Sequence, residues 1–271
     1  MTIFLDGKRI RPDDKMLDDL TPGQRRLRGV FETMHAHVGK IKDINAHLKR
    51  LSDGLKCLGL KNPLSAVRWK AVLRKLLKQN PYPHARVRLL VWQENKKLHH
   101  AAMVLKYQPP SQKYRRGFRV MTVKTTLPAS SRRARVKSLD HAIFANAYQK
   151  AAAHGYDEAL LLNAKGHVCE ASRSNIFIVR GGVLLTPPLS AGCLDGITRS
   201  RVIKKAIEQG IDVREQNVMV KDITNSDGAF VTNALIGLMP LASIDGRALT
   251  MNQDKRIRVR FMVTLNRLRS A

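Results

Sequence analysis

The sequence predicts an α+β protein in which hairpin strands and amphipathic helices occupy separate stretches of the chain. Short apolar runs bounded by Asp-Gly or Gly-Gly turns indicate hairpins, and apolar residues at helical spacing indicate several helices. The length of 271 residues and a hydrophobic fraction of 44% suffice for one large core or two moderate ones. We therefore expect a folded globular protein.

The N-terminal part is expected to form two hairpins, two helices and two further strands. The segment IFLDGKRI contains an Asp-Gly turn, and VFETMHAHVGKI predicts a second hairpin around Gly39. Apolar residues at helical spacing predict helices at residues 43–60 and 63–78. Strands are expected to return in ARVRLLVW and AAMVLKYQ.

The polar, proline-containing stretch QPPSQKYRR, residues 108–116, is the expected linker between two domains. We place the boundary inside it. This predicts a first domain of residues 1–110 and a second domain of residues 111–271.

The C-terminal part is expected to be a larger α+β domain. A helix is predicted at residues 138–154, and GITRSRVIKKAIEQG predicts another helix that Gly210 closes. The last segment, RIRVRFMVTLNRLRS, has the spacing of an amphipathic helix with a basic outer face. Strands are predicted in FRVMTVK, DEALLLN, GHVCE, NIFIV, GVLLTP, IDVREQ, GAFVTNA and PLASID.

The net charge of +28, from 49 Lys and Arg against 21 Asp and Glu, is the most unusual bulk property. Such a potential favours polyanions, anionic membranes or small acidic substrates. Because the basic residues are spread along the whole chain, we interpret them as a surface bias, and a nucleic-acid partner is not expected.

The sequence shows no signal-peptide-like run and no stretch near the roughly 20 apolar residues needed to cross a bilayer. We expect a cytoplasmic protein without membrane contact. Cys57, Cys169 and Cys193 lack Cys-x-x-Cys spacing, so neither a disulfide framework nor a cysteine zinc site is predicted. No metal site is predicted.

Six motifs follow one another along nearly the entire chain. They are RGVFET (28–33), HLKRL (47–51), VKSLD (136–140), DEALLLNAKGHVCEASRSNIFIV (157–179), GVLLTPPLSAGCLDGITR (182–199) and FVTNALIGLMP (230–240). With these motifs the sequence resembles the class IV aminotransferases, pyridoxal phosphate enzymes of fold type IV. That family includes branched-chain aminotransferases, D-amino acid aminotransferases and 4-amino-4-deoxychorismate lyases.

The resemblance implies a two-domain fold like that of D-amino acid aminotransferases. A small N-terminal α/β domain would precede a larger C-terminal pseudo-barrel domain, with pyridoxal 5'-phosphate bound between them. It also implies a homodimer whose partner contributes to the substrate pocket.

A pyridoxal phosphate enzyme needs an amine that holds the aldehyde as a Schiff base and then moves protons at the substrate carbon. By resemblance that amine is Lys137. Glu170 matches the carboxylate that faces the ring nitrogen and keeps it protonated. Each residue also has an ordinary alternative, since most lysines are solvated and a glutamate in a hairpin is usually exposed.

The cofactor phosphate needs hydrogen-bond donors. Arg50 matches the family arginine that grips it, because a guanidinium suits bidentate oxygen recognition. Ile197 and Thr198 stand where a helix is expected to begin, so free backbone N–H groups and the helix dipole favour an anion there. Thr232 resembles a further donor, and Asn175 either supports the strand beside Glu170 or is an ordinary hairpin residue.

Within the family, the turn Thr-Asn-Ala-Leu at residues 232–235 resembles that of the aminodeoxychorismate lyases, where branched-chain enzymes carry a Gly-Thr-Ala-Ala type of turn. The resemblance then implies conversion of 4-amino-4-deoxychorismate, a small anionic substrate, to 4-aminobenzoate for folate biosynthesis and pyruvate. Thr33 is the candidate proton donor to the leaving group; an ordinary role as a strand residue is its alternative.

Two other functions stay open. An aminotransferase acting on branched-chain or D-amino acids would use the same lysine, and IDVREQ is similar to branched-chain enzymes. A basic nucleic-acid-binding protein with a degenerate cofactor pocket is the alternative from another class. Against it stands the presence of Lys137, Glu170 and Arg50 together, because a decayed site should have lost at least one of them.

Overall fold

A computed structural model describes residues 2–125 and 136–249, which divide into two compact units. Unit 1 comprises Met1–Pro109 and Val136–Ala145, and unit 2 comprises Pro110–Arg135 and Asn146–Ala271. The division after Pro109 lies next to the boundary placed from the sequence. The sequence did not indicate, however, that the segment carrying Lys137 returns to the first unit.

Unit 1 contains a six-stranded antiparallel sheet in the order β2-β1-β6-β5-β3-β4. Both predicted hairpins are confirmed, with tight turns at Asp6-Gly7 and Val38-Gly39 whose four residues all have positive φ angles. That conformation matches the twist of the flanking strands. The strands are β1 (Ile3–Leu5), β2 (Lys8–Ile10), β3 (Arg28–His37), β4 (Lys40–Ile41), β5 (His84–Glu94) and β6 (Lys97–Lys106).

One face of this sheet is covered by two amphipathic helices. The predicted helices are confirmed as α2 (Ile44–Cys57) and α3 (Ala66–Gln79), and a short helix α1 (Asp14–Asp19), which the sequence did not predict, precedes β3. Both long helices begin later than predicted; the hydroxyl of Ser65 caps α3 by accepting from the N–H of Arg68 at 3.3 Å. Their buried side chains form one apolar core with the sheet. The helix residues of that core are Leu48, Leu51, Leu55, Trp69, Leu73, Leu76 and Leu77.

Backbone hydrogen bonds hold the returning segment against β3. The N–H of Phe31 donates to the carbonyl of Lys137, and the N–H of Leu139 donates to the carbonyl of Gly29, both at 3.0 Å. Ser138 also forms an antiparallel bridge with Val30. Because residues 138–139 are extended alongside β3, the helix predicted from residue 138 begins only at residue 142.

Unit 2 starts with a helix where a linker was expected. Helix α4 (Ser111–Arg116) is fastened by the hydroxyl of Tyr114, which donates to the carbonyl of Ile236 at 2.6 Å. Lys113 and Arg116 reach the carboxylate of Asp157 at 2.9 Å and 2.7 Å. The stretch 108–116 therefore contains the division between the two units, as predicted, but its second part is an anchored helix and not an irregular linker.

The strands described in unit 2 form a nine-stranded sheet curled as a half barrel, in the order β12-β11-β10-β13-β14-β7-β8-β9, with β15 paired to β14. The pairs β7–β8, β7–β14 and β11–β12 are parallel and the others antiparallel. The strands are β7 (Phe118–Lys124), β8 (Glu158–Leu162), β9 (Val168–Ala171), β10 (Asn175–Arg180), β11 (Val183–Thr186), β12 (Val213–Glu215), β13 (Gly228–Asn233), β14 (Gly237–Ile244) and β15 (Arg247–Ala248).

Three further helices complete the described part of the chain: α5 (Ala142–Ala153), α6 (Ile197–Glu208) and α7 (Val220–Thr224). Helix α6 buries Val202 and Ala206 against β10 and β13 and ends before Gly210, as predicted. The basic helix predicted for the last segment lies outside the described residues. Within residues 2–125 and 136–249, no helix has the length and apolar character that crossing a membrane requires.

The close approach at Gly29 predicts a stability effect. A β-carbon there would press on the carbonyl oxygen of Val91 and lie 2.7 Å from the Cα of Trp92, both in the neighbouring strand. Gly29→Ala should therefore lower the free energy of unfolding by about 1–3 kcal/mol, measured by urea denaturation. The matched control is Gly228→Ala, whose β-carbon would meet nothing within 4 Å. Equal stability of the two variants would contradict this account.

Candidate active site

Lys137 lies against an aromatic surface in unit 1. Its ammonium nitrogen is 4.4 Å from the centroid of the Phe31 ring, a distance suited to a cation–π interaction. His141 contacts the same ring edge-on at 5.3 Å and stacks on Phe144 at 4.5 Å. Burial and the nearby charge of Lys137 lower the pKa of His141 to about 3. The imidazole beside the lysine is therefore neutral at ordinary pH.

The face of β3 that carries Phe31 also carries Thr33, because successive strand residues point to opposite faces. Thr33 stands directly opposite Arg88 of β5, and the next residue on that face, His35, stands opposite Arg86. Directly opposed strand residues have β-carbons about 4.5–5.5 Å apart. The sequence-predicted hydroxyl and two arginines thus share one face of the unit 1 sheet.

Arg88 is a partly buried cation whose Nε is enclosed. Its Nε is buried with no hydrogen-bond partner among the described residues, and one Nη donates to the hydroxyl of Thr21 at 3.4 Å. Burial, and then the charge of Arg86, lower the pKa of Arg88 to about 10. Two neighbouring guanidinium groups in a partly dry environment repel each other. An anion placed between them would relieve that cost.

The opposite face of β3 carries a second charged group. Glu32 is completely buried, and its carboxylate accepts hydrogen bonds from Nε and Nη2 of Arg50 at 2.7 Å and 2.8 Å. The Nδ1 of the buried His47 lies 2.7 Å from the same carboxylate. Burial raises the pKa of Glu32, but the charge and hydrogen bonds of Arg50 together with His47 outweigh it and hold that pKa at about 2. Arg50 is thereby held by a permanently ionised partner.

In unit 2, Glu170 is buried at the end of β9. The side-chain amide of Asn175 donates to it at 3.3 Å and to the carbonyl of Leu194 at 2.9 Å. Asn175 thus ties Glu170 to the loop that leads into α6. Of the two roles that the sequence left open for Asn175, the structure supports that of a partner to Glu170.

Helix α6 begins directly beside this pair. Gly196 is its N-cap residue and supplies no side-chain cap, and the next residues are Ile197 and Thr198. A β-carbon at Gly196 would collide with the amide oxygen of Asn175 and lie 3.1 Å from its Cγ, so only glycine fits without displacing Asn175. The first N–H groups of a helix have no partner within the helix and attract anions.

Thr232 completes this part of the site. It stands opposite Asn175 in the pairing of β10 with β13, and its hydroxyl is buried with no hydrogen-bond partner among the described residues. A buried hydroxyl without a partner is costly unless a ligand or water bonds to it. Unit 2 therefore combines a buried carboxylate, a helix N-terminus without a side-chain cap and an available hydroxyl.

Two buried thiols lie near Glu170. The Sγ of Cys169 donates to the carbonyl of Ala191 at 3.0 Å, and the Sγ of Cys193 approaches the carbonyl of Pro188 at 3.5 Å. Burial and the charge of Glu170 raise the pKa of both thiols to about 12. All three cysteines are free. The described residues contain no group of three or more His, Cys, Asp or Glu side chains arranged to hold a metal ion.

Sequence reasoning missed Glu32, His47 and Arg88. A signal for Glu32 existed, since a carboxylate alternates with apolar residues on the core-facing side of β3 and must find a partner there. His47 and Arg50 are three residues apart and share one face of α2. Arg88 gave a weaker signal, because one more basic residue in this chain does not stand out.

Comparison with known proteins agrees with the fold and these motifs. Residues 29–244 match the family model described as amino-transferase class IV. A Methanocaldococcus jannaschii protein named "Putative branched-chain-amino-acid aminotransferase" is 34% identical over 262 residues, covering 93% of this chain and 91% of that protein. The chain therefore belongs to the class IV aminotransferase family, as its motifs indicated.

Solved structures support the same fold. The branched-chain aminotransferase of Thermoproteus uzoniensis, determined with norvaline, has a TM-score of 0.82 at 27% identity and covers 98% of this chain and 95% of its own. A Legionella pneumophila protein described as "Putative 4-amino-4-deoxychorismate lyase" has a TM-score of 0.79 at 24% identity, covering 89% and 91%. The predicted α+β class of the fold type IV enzymes is thus confirmed.

Family membership indicates pyridoxal 5'-phosphate as the cofactor. The residues of each unit fit the chemistry of this group. Glu170 is a buried acceptor for a protonated ring nitrogen, while the start of α6 and the hydroxyl of Thr232 offer donors for a phosphate. Unit 1, taken by itself, contains an amine at Lys137 and a guanidinium at Arg50, the kinds of group that bind an aldehyde and a phosphate.

The neutral imidazole of His141 predicts a pH dependence of stability. Its folded pKa lies below the unfolded value of 6.5, so its contribution is fully present above that pH and is lost as the pH falls toward 3. His141→Phe should flatten the decline of the unfolding free energy between pH 6 and pH 4. The reduction should reach about 1.4 kcal/mol per pH unit, measured by urea denaturation at fixed pH values. Parallel curves for variant and wild type would show that His141 is not kept neutral.

Proposed function

We propose that this protein is a pyridoxal phosphate-dependent lyase that converts 4-amino-4-deoxychorismate to 4-aminobenzoate and pyruvate. The observation that carries the proposal is the pairing of Thr33 with Arg88 on the sheet face that also holds Phe31. In this pairing a hydroxyl lies beside a partly buried cation, on the face that holds the ring on which the Lys137 ammonium lies.

The charges on this face suit a substrate with two carboxylates. Arg88 forms no ion pair within the described residues, and its lowered pKa reflects burial together with repulsion from Arg86. A substrate carboxylate would neutralise the charge of Arg88, whereas a branched aliphatic side chain would leave that partly buried charge without an anionic partner. The net charge of +28 would further speed capture of an anionic substrate.

Each residue then has a definite task. Lys137 accepts the proton from the carbon that bears the amino group, and the neutral His141 beside it adds no competing positive charge. Thr33 gives a proton to the departing enolpyruvyl oxygen. Loss of that group makes the ring aromatic, so the enzyme mainly positions groups and moves protons.

The cofactor residues support this chemistry. When bound, pyridoxal phosphate supplies an electron sink for the electrons left on the substrate carbon. Glu170 would keep the ring nitrogen protonated, with Asn175 orienting the carboxylate. Arg50, the N–H groups of Ile197 and Thr198, and the Thr232 hydroxyl would hold the phosphate.

The lyase motif also has a structural counterpart in the turn between β13 and β14. The Asn233 amide oxygen accepts from the N–H groups of Leu235 and Ile236 at 2.9 Å and 3.0 Å, while its nitrogen donates to the Ser174 hydroxyl at 3.0 Å. A Gly-Thr-Ala-Ala type of turn has no side-chain amide, which here accepts two bonds and donates a third at the same time. This supports the lyase over the branched-chain enzymes.

An aminotransferase acting on branched-chain amino acids is the second candidate. It is favoured by the Methanocaldococcus jannaschii relative, whose name carries that activity and which is 34% identical to this chain. Lys137, Glu170 and Arg50 would serve it equally. For either enzyme we propose a cytoplasmic homodimer whose second subunit contributes to the substrate pocket.

A product assay tests the proposal. Purified protein with added pyridoxal phosphate is given 4-amino-4-deoxychorismate, and 4-aminobenzoate is followed by its fluorescence. We expect rapid product formation by the wild type and a loss of at least about 1,000-fold in Lys137→Ala, because the general base is removed. If cofactor-loaded wild type makes no 4-aminobenzoate but produces a keto acid from valine or leucine, the aminotransferase candidate replaces the lyase.

The role of Thr33 is tested by a pair of substitutions. Thr33→Val preserves shape and strand propensity but removes the hydroxyl, so kcat for 4-aminobenzoate formation should fall about 100-fold with little change in KM. Thr33→Ser keeps the hydroxyl and serves as the matched control, with most of the activity retained. If Thr33→Val is as active as wild type, another group protonates the leaving oxygen.

A further inference from the structure

Arg50 is held in its orientation by Glu32, a residue that the reaction itself does not need. Two parallel hydrogen bonds, from Nε and Nη2 of Arg50 to the two carboxylate oxygens of Glu32, fix the plane of the guanidinium. The arginine side chain is 20% exposed and that of Glu32 only 1%. The carboxylate is thus enclosed, while part of the arginine side chain remains accessible.

The enclosure of Glu32 is stabilised by His47. Its Nδ1 lies 2.7 Å from Oε2 of Glu32, the same oxygen that accepts from Nη2 of Arg50. The three side chains come from β3 and α2, whose apolar residues pack in one core. Both ends of the network therefore rest on regular secondary structure, which allows little movement of the carboxylate.

We infer that Glu32 is a positioning residue that orients Arg50 toward the cofactor phosphate. The inference rests on the proposed function, in which Arg50 binds that phosphate. A long arginine side chain has several rotamers to choose from, and binding an anion in one of them costs conformational entropy. Because Glu32 already restricts Arg50 to one orientation in the folded protein, little further conformational entropy is lost when the cofactor binds.

Orientation and charge predict opposite changes in the affinity for pyridoxal phosphate when Glu32 is replaced. Glu32 is an anion next to the proposed phosphate ligand, so its charge alone weakens phosphate binding, and removing the charge should strengthen it. If orientation is the larger effect, removal should weaken binding. The direction of the change therefore distinguishes the two views without any appeal to magnitude.

The experiment measures the affinity of the purified protein for pyridoxal phosphate and, separately, for pyridoxal, which lacks the phosphate. Protein is dialysed to equilibrium against graded concentrations of each compound, and bound compound is read from its visible absorption. We expect Glu32→Gln to raise the Kd for pyridoxal phosphate about 10-fold or more, as for other partners that orient a ligand-binding side chain. The Kd for pyridoxal should stay unchanged.

A second Glu32 variant and a charge-matched control complete the experiment. Glu32→Asp retains the charge but is too short to keep both bonds to Arg50, so it should also weaken pyridoxal phosphate binding, and it applies if Glu32→Gln does not fold. The matched control is Asp53→Asn on the exposed side of α2, where Asp53 pairs with Lys49 at 2.6 Å. It changes the net charge by the same amount as Glu32→Gln and should leave the Kd as in wild type.

The Arg50→Gln variant tests phosphate binding by Arg50 separately from the positioning of Arg50 by Glu32. If Arg50→Gln does not change the Kd for pyridoxal phosphate, Arg50 does not bind the phosphate, and the proposed roles of both residues fall. If Arg50→Gln weakens binding but the Glu32 variants bind as tightly as Asp53→Asn or more tightly, only the positioning role is overturned. In the Arg50→Gln background, adding Glu32→Gln should cause no further loss; a further loss would show that Glu32 does not act through Arg50.

Discussion

The pairing of residues 137–139 with β3 is the constraint on which the position of Lys137 in unit 1 depends. The hydrogen bonds involve backbone atoms of Gly29, Phe31, Lys137 and Leu139, so the path of the chain at the lysine is set independently of most side chains. Gly29 allows the neighbouring strand to come close at this point. Lys137 is therefore held by backbone hydrogen bonds along the first residues of β3, which β4 does not pair with, although the chain arrives there from a distant stretch of sequence.

Because successive strand residues point to opposite sides, the two faces of β3 carry different sets of side chains. One face presents Phe31 and Thr33 next to Arg88, and the other presents Glu32 to α2. The charge balance differs accordingly: Arg50 is neutralised by Glu32, whereas Arg88 forms no ion pair in the described part of the chain. The two faces of β3 thus differ in charge balance, even though the overall charge of +28 is spread along the whole sequence.

Much of this structure could be predicted from local patterns. Turn residues and hydrophobic spacing were sufficient for the hairpins at Asp6-Gly7 and Gly181-Gly182 and for the helices α2, α3 and α6. The return of Lys137 to unit 1 could not be predicted, because it depends on backbone pairing between residues more than 100 positions apart. The predicted helix starts later than residue 138 because Ser138 and Leu139 pair with β3 and do not enter the helix.

In the candidate site, too, local motifs predicted some residues, and contacts between distant residues could not be predicted. Motif resemblance pointed to Glu170, Arg50 and Thr232 as candidates. The structure adds their side-chain partners: the amide of Asn175 donates to Glu170, and Arg50 donates to Glu32. Such partners are invisible to reasoning about one residue at a time. A charged residue at a core-facing strand position is nevertheless a general sign that a buried partner exists, and it could be used for Glu32 without a structure.

The two thiols beside Glu170 have a consequence for the conditions under which the protein can work. Only a thiolate reacts readily with oxidants or electrophiles, and the raised pKa values of Cys169 and Cys193 keep both groups protonated. Their hydrogens are moreover directed at backbone carbonyls. Burial and the raised pKa values therefore make both thiols less reactive toward peroxide and alkylating agents than an exposed cysteine would be.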